Sequence, residues 1–277
     1  MAFCTNANPE NVGIRFTYLS YDNQFPGDDT RLLENLIKSV AEDTDRLFII
    51  TDTEAATEYA RGSGIACAAL LTPYNRSCAF SQVLYCIEDI SQIPLYRVVR
   101  MWQRHHGIPW TITVTDRLVI REQTEDDLEG LYRIYADPEA SRFTEDLYED
   151  PREEAEYLRK YIENQYRFYE FGLWALTLKE NGKLIGRAGI SIREGYQIPE
   201  AGYIIGKEYR CRGYAEEAMK AIIAYGRSEF GFEEYMAFTK EQNVPSVRLL
   251  KSLGFEKRGY DLIMGENHAM YILTKQQ

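Results

Sequence analysis

The stretch RCRGYA (residues 210–215), followed directly by EEAMKAII (216–223), decides how the second half of this chain folds. Ala215, Ala218, Met219, Ile222 and Gly226 recur at helical spacing, which places a helix start near Gly213. The residues just before, EAGYII (200–205), read as a strand. The first turn of a helix leaves N–H groups unpaired and carries partial positive charge, so it is suited to holding an anion. Glycine lets a phosphate come close to the backbone. Arg210 and Arg212 add full positive charge, in a chain of formal net charge −11. Taken alone, the six residues fit a solvated surface loop equally well.

Working outward, RLVIRE (117–122) reads as a strand and TEDDLEGLYRIYAD (124–137) as a helix. Thr124 and Asp127 form a capping-box-like start to that helix, and Leu128, Leu131, Tyr132 and Tyr135 share one face. DPREEAEYLRKYIENQ (150–165) reads as a second helix. LWALTL (173–178) and LIGRAGISI (184–192) form a hairpin whose turn is marked by Asn181-Gly182. Downstream, FTKEQNVPSVRLLKSLGF (238–255) reads as a strand end and a helix that begins near Asn243 and closes at Gly254.

Two spaced patterns now stand together: Arg210-x-x-Gly213-x-Ala215, and Asn243-x-x-Ser246-x-x-Leu249 ending in Gly254-Phe255. They resemble the acyl-CoA signature of the GNAT acetyltransferase superfamily. Residues 116–274 resemble most the branch that includes ribosomal-protein N-terminal-alanine acetyltransferases. The resemblance implies a mixed, mostly antiparallel sheet flanked by helices and an acetyl-CoA cosubstrate lying between two splayed strands, 200–206 and 234–239. It implies a pyrophosphate on the backbone of Cys211, Arg212, Gly213, Tyr214 and Ala215, with Arg210 nearby. Main-chain groups near Ile205 and Gly206 would then bond the pantetheine arm and polarise the thioester, and Asn243 and Ser246 would contact the cosubstrate. Asn243 also suits plain helix capping. An amine would attack the thioester directly, driven mostly by positioning and by main-chain donors at the developing oxyanion.

The acceptor amine is mostly protonated near neutral pH. Glu200, at the start of the strand entering the turn, is the candidate general base; an exposed edge carboxylate is the plainer reading. Where many relatives carry a tyrosine that protonates the leaving thiolate, this chain has Leu250. Ser246, Tyr260 and Tyr271 are the substitutes considered, and a free thiolate needs little help to leave. Residues 122–163 hold fifteen Asp/Glu against five Lys/Arg, which suits a cationic amine or a peptide N-terminus, and equally a solvated helix face. The aromatics of YRFYEFGLW (166–174) fit a pocket wall or the core.

At 277 residues the chain has room for two domains, and 45% hydrophobic with 27% charged residues is ordinary globular composition. The acidic balance argues against nucleic acid, and the apolar runs are too short for a membrane span. No secretory signal is read at the N-terminus. Five scattered cysteines suggest free thiols in a cytoplasmic protein, with no disulfide framework or metal site. A division near residue 115 separates a GNAT domain (116–277) from a small α/β domain (1–115) with a parallel sheet. In the latter, RLFIITD (46–52), IACAALL (65–71) and VLYCIED (83–89) are strands, and 53–64 and 93–107 are helices. FIITDTEAATEYARGSGIACAALL (48–71) resembles a segment of haloacid-dehalogenase-like phosphatases. The Asp-x-Asp nucleophile of that family is missing, and the aspartates of 23–31 and 42–46 do not follow a proper strand, so a degenerate, non-hydrolytic version is expected. Asp52 should cap the following helix, and His105 and His106 should act as cations at a helix C-terminus. The function expected is acetyl transfer from acetyl-CoA to a primary amine without a metal; the alternative is a non-catalytic acyl-CoA sensor.

Overall fold

The computed structural model describes residues 2–6, 16–19, 31–40, 43–80, 83–141, 143 and 146–274. The chain forms two compact units, Met1–Ile108 and Pro109–Gln277. The boundary falls ahead of residue 115 because Thr111–Val114 is a strand that pairs with Leu118–Arg121 in the second unit.

The first unit contains β1 (Ala2–Asn6), β2 (Phe16–Leu19), α1 (Arg31–Val40), β3 (Leu47–Thr51), α2 (Glu54–Gly62), β4 (Ala66–Leu70), β5 (Cys86–Ile87) and α3 (Leu95–His105). Its sheet has the order β2-β1-β3-β4-β5. The expected strands β3, β4 and β5 are parallel. β1 is antiparallel to both β2 and β3, an edge absent from the sequence reading. Strands of five and four residues are too short for periodicity to separate them from loop. β3 is buried on both faces, as suits a parallel sheet. Leu47 and Ile49 pack with Leu33, Ile37 and Ala60, while Phe48 and Ile50 pack with Val98 and Trp102.

Two expectations change here. Thr53, not Asp52, caps α2, its hydroxyl accepting the Ala56 N–H at 3.3 Å. The main-chain oxygen of Asp52 instead accepts Asn75 Nδ2 at 2.8 Å. The aspartates of 23–30 lie outside the described residues. His106 is not a ready cation: burial pushes its pKa down, aided by His105, against the pull of Asp45. Its ring packs on Trp102, whose indole N–H donates to the Asp45 carbonyl at 2.7 Å.

The second unit contains β6 (Thr111–Val114), β7 (Leu118–Arg121), α4 (Leu128–Tyr135), α5 (Pro138–Ser141), α6 (Pro151–Tyr161), α7 (Arg167–Tyr169), β8 (Leu173–Leu178), β9 (Leu184–Ser191), β10 (Glu200–Ile205), α8 (Tyr214–Phe230), β11 (Tyr235–Thr239), α9 (Val244–Ser252), β12 (Glu256–Ile263) and β13 (Glu266–Leu273). Its sheet order is β12-β13-β11-β10-β9-β8-β7-β6, antiparallel throughout except for β10 and β11. This is the mixed, mostly antiparallel sheet expected; the closing hairpin β12–β13 was not read from the sequence.

The expected capping box is present. The Asp127 carboxylate accepts the Thr124 N–H at 2.8 Å and is gripped by both Nη atoms of Arg121 at 2.7 and 2.8 Å. α6 ends in a wider π turn, Ile162–Tyr166, which turns two tyrosines toward the sheet. The Tyr161 hydroxyl accepts the Leu173 N–H at 2.7 Å and the Tyr166 hydroxyl accepts the Gln123 N–H at 3.2 Å. Tyr166, Phe171 and Trp174 are therefore core, not pocket wall. Full burial of such side chains contributes about 1.5–3 kcal/mol each. Some of the acidic residues are paired on the surface: Glu125 meets Arg159, Glu156 meets Lys160, and Glu129 meets Arg133.

A folded-state pKa below the unfolded value makes His106 a liability in acid. The unfolded chain takes up the proton first, so this contribution to stability is intact above about pH 6.5 and is lost as pH falls below it. Thermal unfolding of the full chain between pH 8 and 5 should show an acid-side loss in the first unit that His106→Asn reduces.

Candidate functional site

β10 and β11 are parallel neighbours, yet only one residue pair joins them, Glu200 with Met236. The Met236 N–H donates to the Pro199 carbonyl at 2.9 Å, and beyond that point the strands part. On its other side β10 stays fully paired with β9, from Glu200 opposite Ser191 to Ile205 opposite Gly186. Backbone groups of a strand alternate between its two edges. The Gly206 N–H donates to the Ile185 carbonyl at 2.8 Å, so even-numbered residues address β9. The main-chain groups of Tyr203 and Ile205 therefore address the opening.

This alternation revises one expectation. The Gly206 N–H is already engaged, and the Ile205 carbonyl accepts Arg210 Nε at 3.0 Å. The Ile205 N–H and the main chain of Tyr203, which the sequence reading did not single out, face the gap instead.

The opening leads to the RCRGYA turn. Arg210 is extended, Cys211 has φ 58°, and Gly213 has φ 81° as the residue preceding α8. A Cβ at Gly213 would sit in the left-handed region and 3.3 Å from Arg117 Nη2. No side chain caps α8. Its first intrahelical bond runs from the Glu217 N–H to the Gly213 carbonyl at 3.0 Å. The N–H groups of Tyr214, Ala215 and Glu216 thus precede the helical ladder at the positive end of a 17-residue helix. Cys211, Arg212 and Gly213 are exposed there.

Arg210 is turned away from this cradle. Besides Ile205, its guanidinium meets Asp137 at 2.6 Å, just past the end of α4. It ties the strand end to the first helix of the unit. Arg212 remains exposed beside the turn, near the Tyr209 ring. A further cation comes from a place the sequence reading passed over: Arg117 lies 4.2 Å from the centre of the Tyr214 ring and donates to the Arg212 carbonyl at 2.9 Å. Glu217 holds it, accepting from Arg117 Nε at 2.7 Å, from the Arg117 N–H at 2.9 Å and from Thr115 Oγ1 at 2.6 Å. Burial pushes the Glu217 carboxyl up, but the Thr115 and Arg117 bonds outweigh it and hold it below its usual range. No local motif links Arg117 to residues a hundred positions away; only strand order brings them together.

Asn243 caps α9, its side chain accepting the Ser246 N–H at 3.3 Å, so the capping role is realised. Ser246 lies in the first turn of α9, half-buried. Leu250, one turn on, is core. Tyr271 is buried, and Tyr260 is engaged on the surface by Lys257 at 2.5 Å and Glu241 at 2.9 Å. Glu200 stands at the closed end of the opening with a side chain 15% exposed, and its carboxylate accepts Arg193 Nε at 2.6 Å. Arg193 also lies over Phe238 of β11, on which the Tyr196 ring packs. Above Gly202, between Glu200 and Ile204, an added Cβ would meet open space.

The profile of the acetyltransferase (GNAT) domain matches residues 117–256. The chain belongs to this family. Among its relatives, the [ribosomal protein uS5]-alanine N-acetyltransferase of Escherichia coli is 30% identical over 193 residues, covering 63% of this chain and 96% of that enzyme. The uncharacterised N-acetyltransferase YoaA of Bacillus subtilis is 28% identical over 149 residues, covering 53% of this chain and 84% of its own. A GNAT-family acetyltransferase structure from Bacillus anthracis superposes with a TM-score of 0.50 at 21% identity, over 58% of this chain and 96% of its own. That likeness concerns the fold. GNAT enzymes use acetyl-CoA, and this chain is an acetyltransferase of that family. The haloacid-dehalogenase-like reading of the first unit is not supported by these matches. Among the described residues, no helix is long and apolar enough to cross a membrane, and Cys67, Cys78, Cys86 and Cys211 are free.

Glu217 anchors the start of α8 to the β6–β7 hairpin. Glu217→Ala should cost about 1–3 kcal/mol in denaturant unfolding, because Thr115 and Arg117 lose their shared acceptor. Since its folded pKa is lowered, this support should be present above about pH 4.3 and fade as pH falls further.

Proposed function

We propose that the second unit transfers an acetyl group from acetyl-CoA to a primary amine, either a small molecule or a protein N-terminus, by direct attack in a ternary complex. The observation that carries this reading is the parting of β10 and β11 beyond a single residue pair, opening onto an uncapped helix start. The groups present fit an acyl-CoA: backbone donors with no side-chain cap for a pyrophosphate, and the open edge of a strand for an amide-rich arm. Acetyl-CoA brings an acyl group already activated as a thioester.

The N–H groups of Tyr214, Ala215 and Glu216, with the turn at Cys211, Arg212 and Gly213, hold the pyrophosphate. The Arg212 and Arg117 guanidiniums supply charge, while Arg210 acts through its grip on Ile205 and Asp137. The N–H groups of Tyr203 and Ile205 bond the arm and polarise the thioester carbonyl, a contribution fixed before the substrates meet. Asn243, with its side-chain oxygen committed to the cap, keeps its amide N–H free to donate to the cosubstrate.

The acceptor enters over Gly202, on the sheet face shared with Ile204 and α4. An amine at neutral pH must lose a proton before it attacks. Glu200 lies on that face and takes the proton, once its carboxylate is released from Arg193. Residues 122–163 keep their excess of carboxylates after the surface pairs at α4 and α6 are made, so a cationic acceptor meets an acidic field as well as Glu200. The uS5-alanine acetyltransferase likeness favours a peptide N-terminus among the possible amines.

Gly213→Glu places a side chain in the left-handed region and a negative charge at the cradle. It should weaken acetyl-CoA binding by at least about tenfold in calorimetry; unchanged affinity in the folded variant would move the cosubstrate elsewhere. Glu200→Gln should lower kcat by about 10²–10⁴-fold on a panel of primary amines and alanine-terminated peptides, with acetyl-CoA affinity kept and partial recovery at high pH. A wild-type pH–rate profile in that variant would remove Glu200 from the mechanism.

A further inference from the structure

The sheet face that carries Glu200 and Gly202 also carries a cation that the transfer chemistry does not use. Residues directly opposite in an antiparallel pair point to the same face. Arg187 of β9 stands opposite Ile204, so it shares the face of Glu200, Gly202 and Ile204, beyond Gly202 as seen from Glu200. Ile204 packs with Ile134 and Tyr135 of α4, and the Arg187 guanidinium reaches the same Tyr135. Nε and Nη2 donate to the Tyr135 hydroxyl at 3.0 and 2.6 Å, with the guanidinium carbon 5.0 Å from the ring centre.

This charge is held but not neutralised. Burial pushes the Tyr135 phenol up, more than Arg187 pulls it down, so it stays an uncharged acceptor. Glu154 of α6 turns to the Tyr148 N–H at 2.9 Å instead. Among the described residues, no carboxylate forms an ion pair with Arg187, and its Nη1 makes no hydrogen bond. Arg187 is half-buried, and a charge taken out of water costs free energy unless it is paired. Tyr135 occupies Nε and one side of Nη2. The end of the fork, Nη1 with the second Nη2 hydrogen, is left as two parallel donors, the arrangement that fits the two oxygens of a carboxylate.

We propose that Arg187 determines acceptor specificity: the acceptor is a small amine bearing a carboxylate, its amine toward Glu200 and its carboxylate on the Nη1–Nη2 fork of Arg187. This rests on the acetyl-transfer reading above and narrows its acceptor. Glu200 and Ile204 each lie two residues, about 7 Å, from Gly202 along β10. Gly202 leaves open space between them, so a molecule seated there has a carboxylate on one side and a guanidinium on the other. A compact zwitterion matches both. A peptide N-terminus offers an uncharged carbonyl beside its amine and leaves the guanidinium unmatched, so Arg187 favours the small-molecule half of that reading. The fixed cation also sets direction, because the reversed pose would bring like charges together at both ends.

Steady-state acetyl transfer tests this with alanine, β-alanine and γ-aminobutyrate, each beside its uncharged amide, and with an alanine-terminated peptide. In the wild-type protein the KM of at least one carboxylate should lie about tenfold or more below that of its amide, the worth of a hydrogen bond to a charged group. Arg187→Gln should remove this preference, chiefly by raising the KM of the carboxylate. The differing basicity of a carboxylate and its amide cancels when variant and wild type are compared at one pH. Arg187→Lys should keep part of the preference. Tyr135→Phe, which keeps the charge but frees the guanidinium, should lose part of it. Acetyl-CoA affinity by calorimetry reports whether each variant is folded. Equal KM values in the wild type, or a preference that survives in Arg187→Gln, would overturn the proposal; if that variant does not fold, an undiminished preference in Tyr135→Phe would do so. Transfer confined to the amides and the peptide would overturn this inference alone. No transfer to any of these amines would overturn the acetyl-transfer reading with it.

Discussion

The lone pairing of Glu200 with Met236 governs the rest of the second unit. A parallel ladder normally continues for the length of its strands, satisfying N–H and C=O groups as it goes. Here it stops after one pair in the interior of an eight-stranded sheet, while β9 holds the other edge of β10 along its whole length. The result is a strand edge inside the sheet, with main-chain groups that would otherwise lie in a ladder. Because β10 and β11 are parallel, the chain must cross back between them, and α8 makes that crossing. Its N-terminus is thereby delivered to the wide end of the gap. An open strand edge and an uncapped helix start follow from one topological fact.

The charges around that cradle are mostly arranged rather than offered. Asp137 and Ile205 hold Arg210, and Glu217 holds Arg117. Each pair stitches the turn to an element distant in sequence, α4 in one case and the β6–β7 hairpin in the other. The backbone dipoles at the start of α8 and Arg212 are left as local positive charge in an acidic chain, made by orientation and not by net charge. At the closed end the same economy recurs, with Arg193 on Glu200 and Tyr196 on Phe238 enclosing the side from which an acceptor would come.

The helix start at Gly213, the hairpin at Asn181-Gly182, the Thr124–Asp127 box and the parallel strands of the first unit were legible because each depends on neighbours within a few residues. Asn243 was legible as a helix cap on the same grounds, and the structure uses it so. The pairing of Arg210 with Asp137 was not legible because Asp137 is far away in sequence. The aromatics of 166–174 were ambiguous because a π turn, not an ordinary helical turn, decides which of them face the core.

By itself the sequence determined the local pieces: where helices begin and which turns need glycine. Those are settled by backbone dihedrals, caps and periodicity acting over a few positions. Only the tertiary structure decided which backbone groups of β10 face the opening, that Gly206 is spent on β9, and that Arg117 reaches the turn before α8. Those depend on strand register and order, and register is a property of the assembled sheet: shifting it by one residue sends every group to the opposite edge.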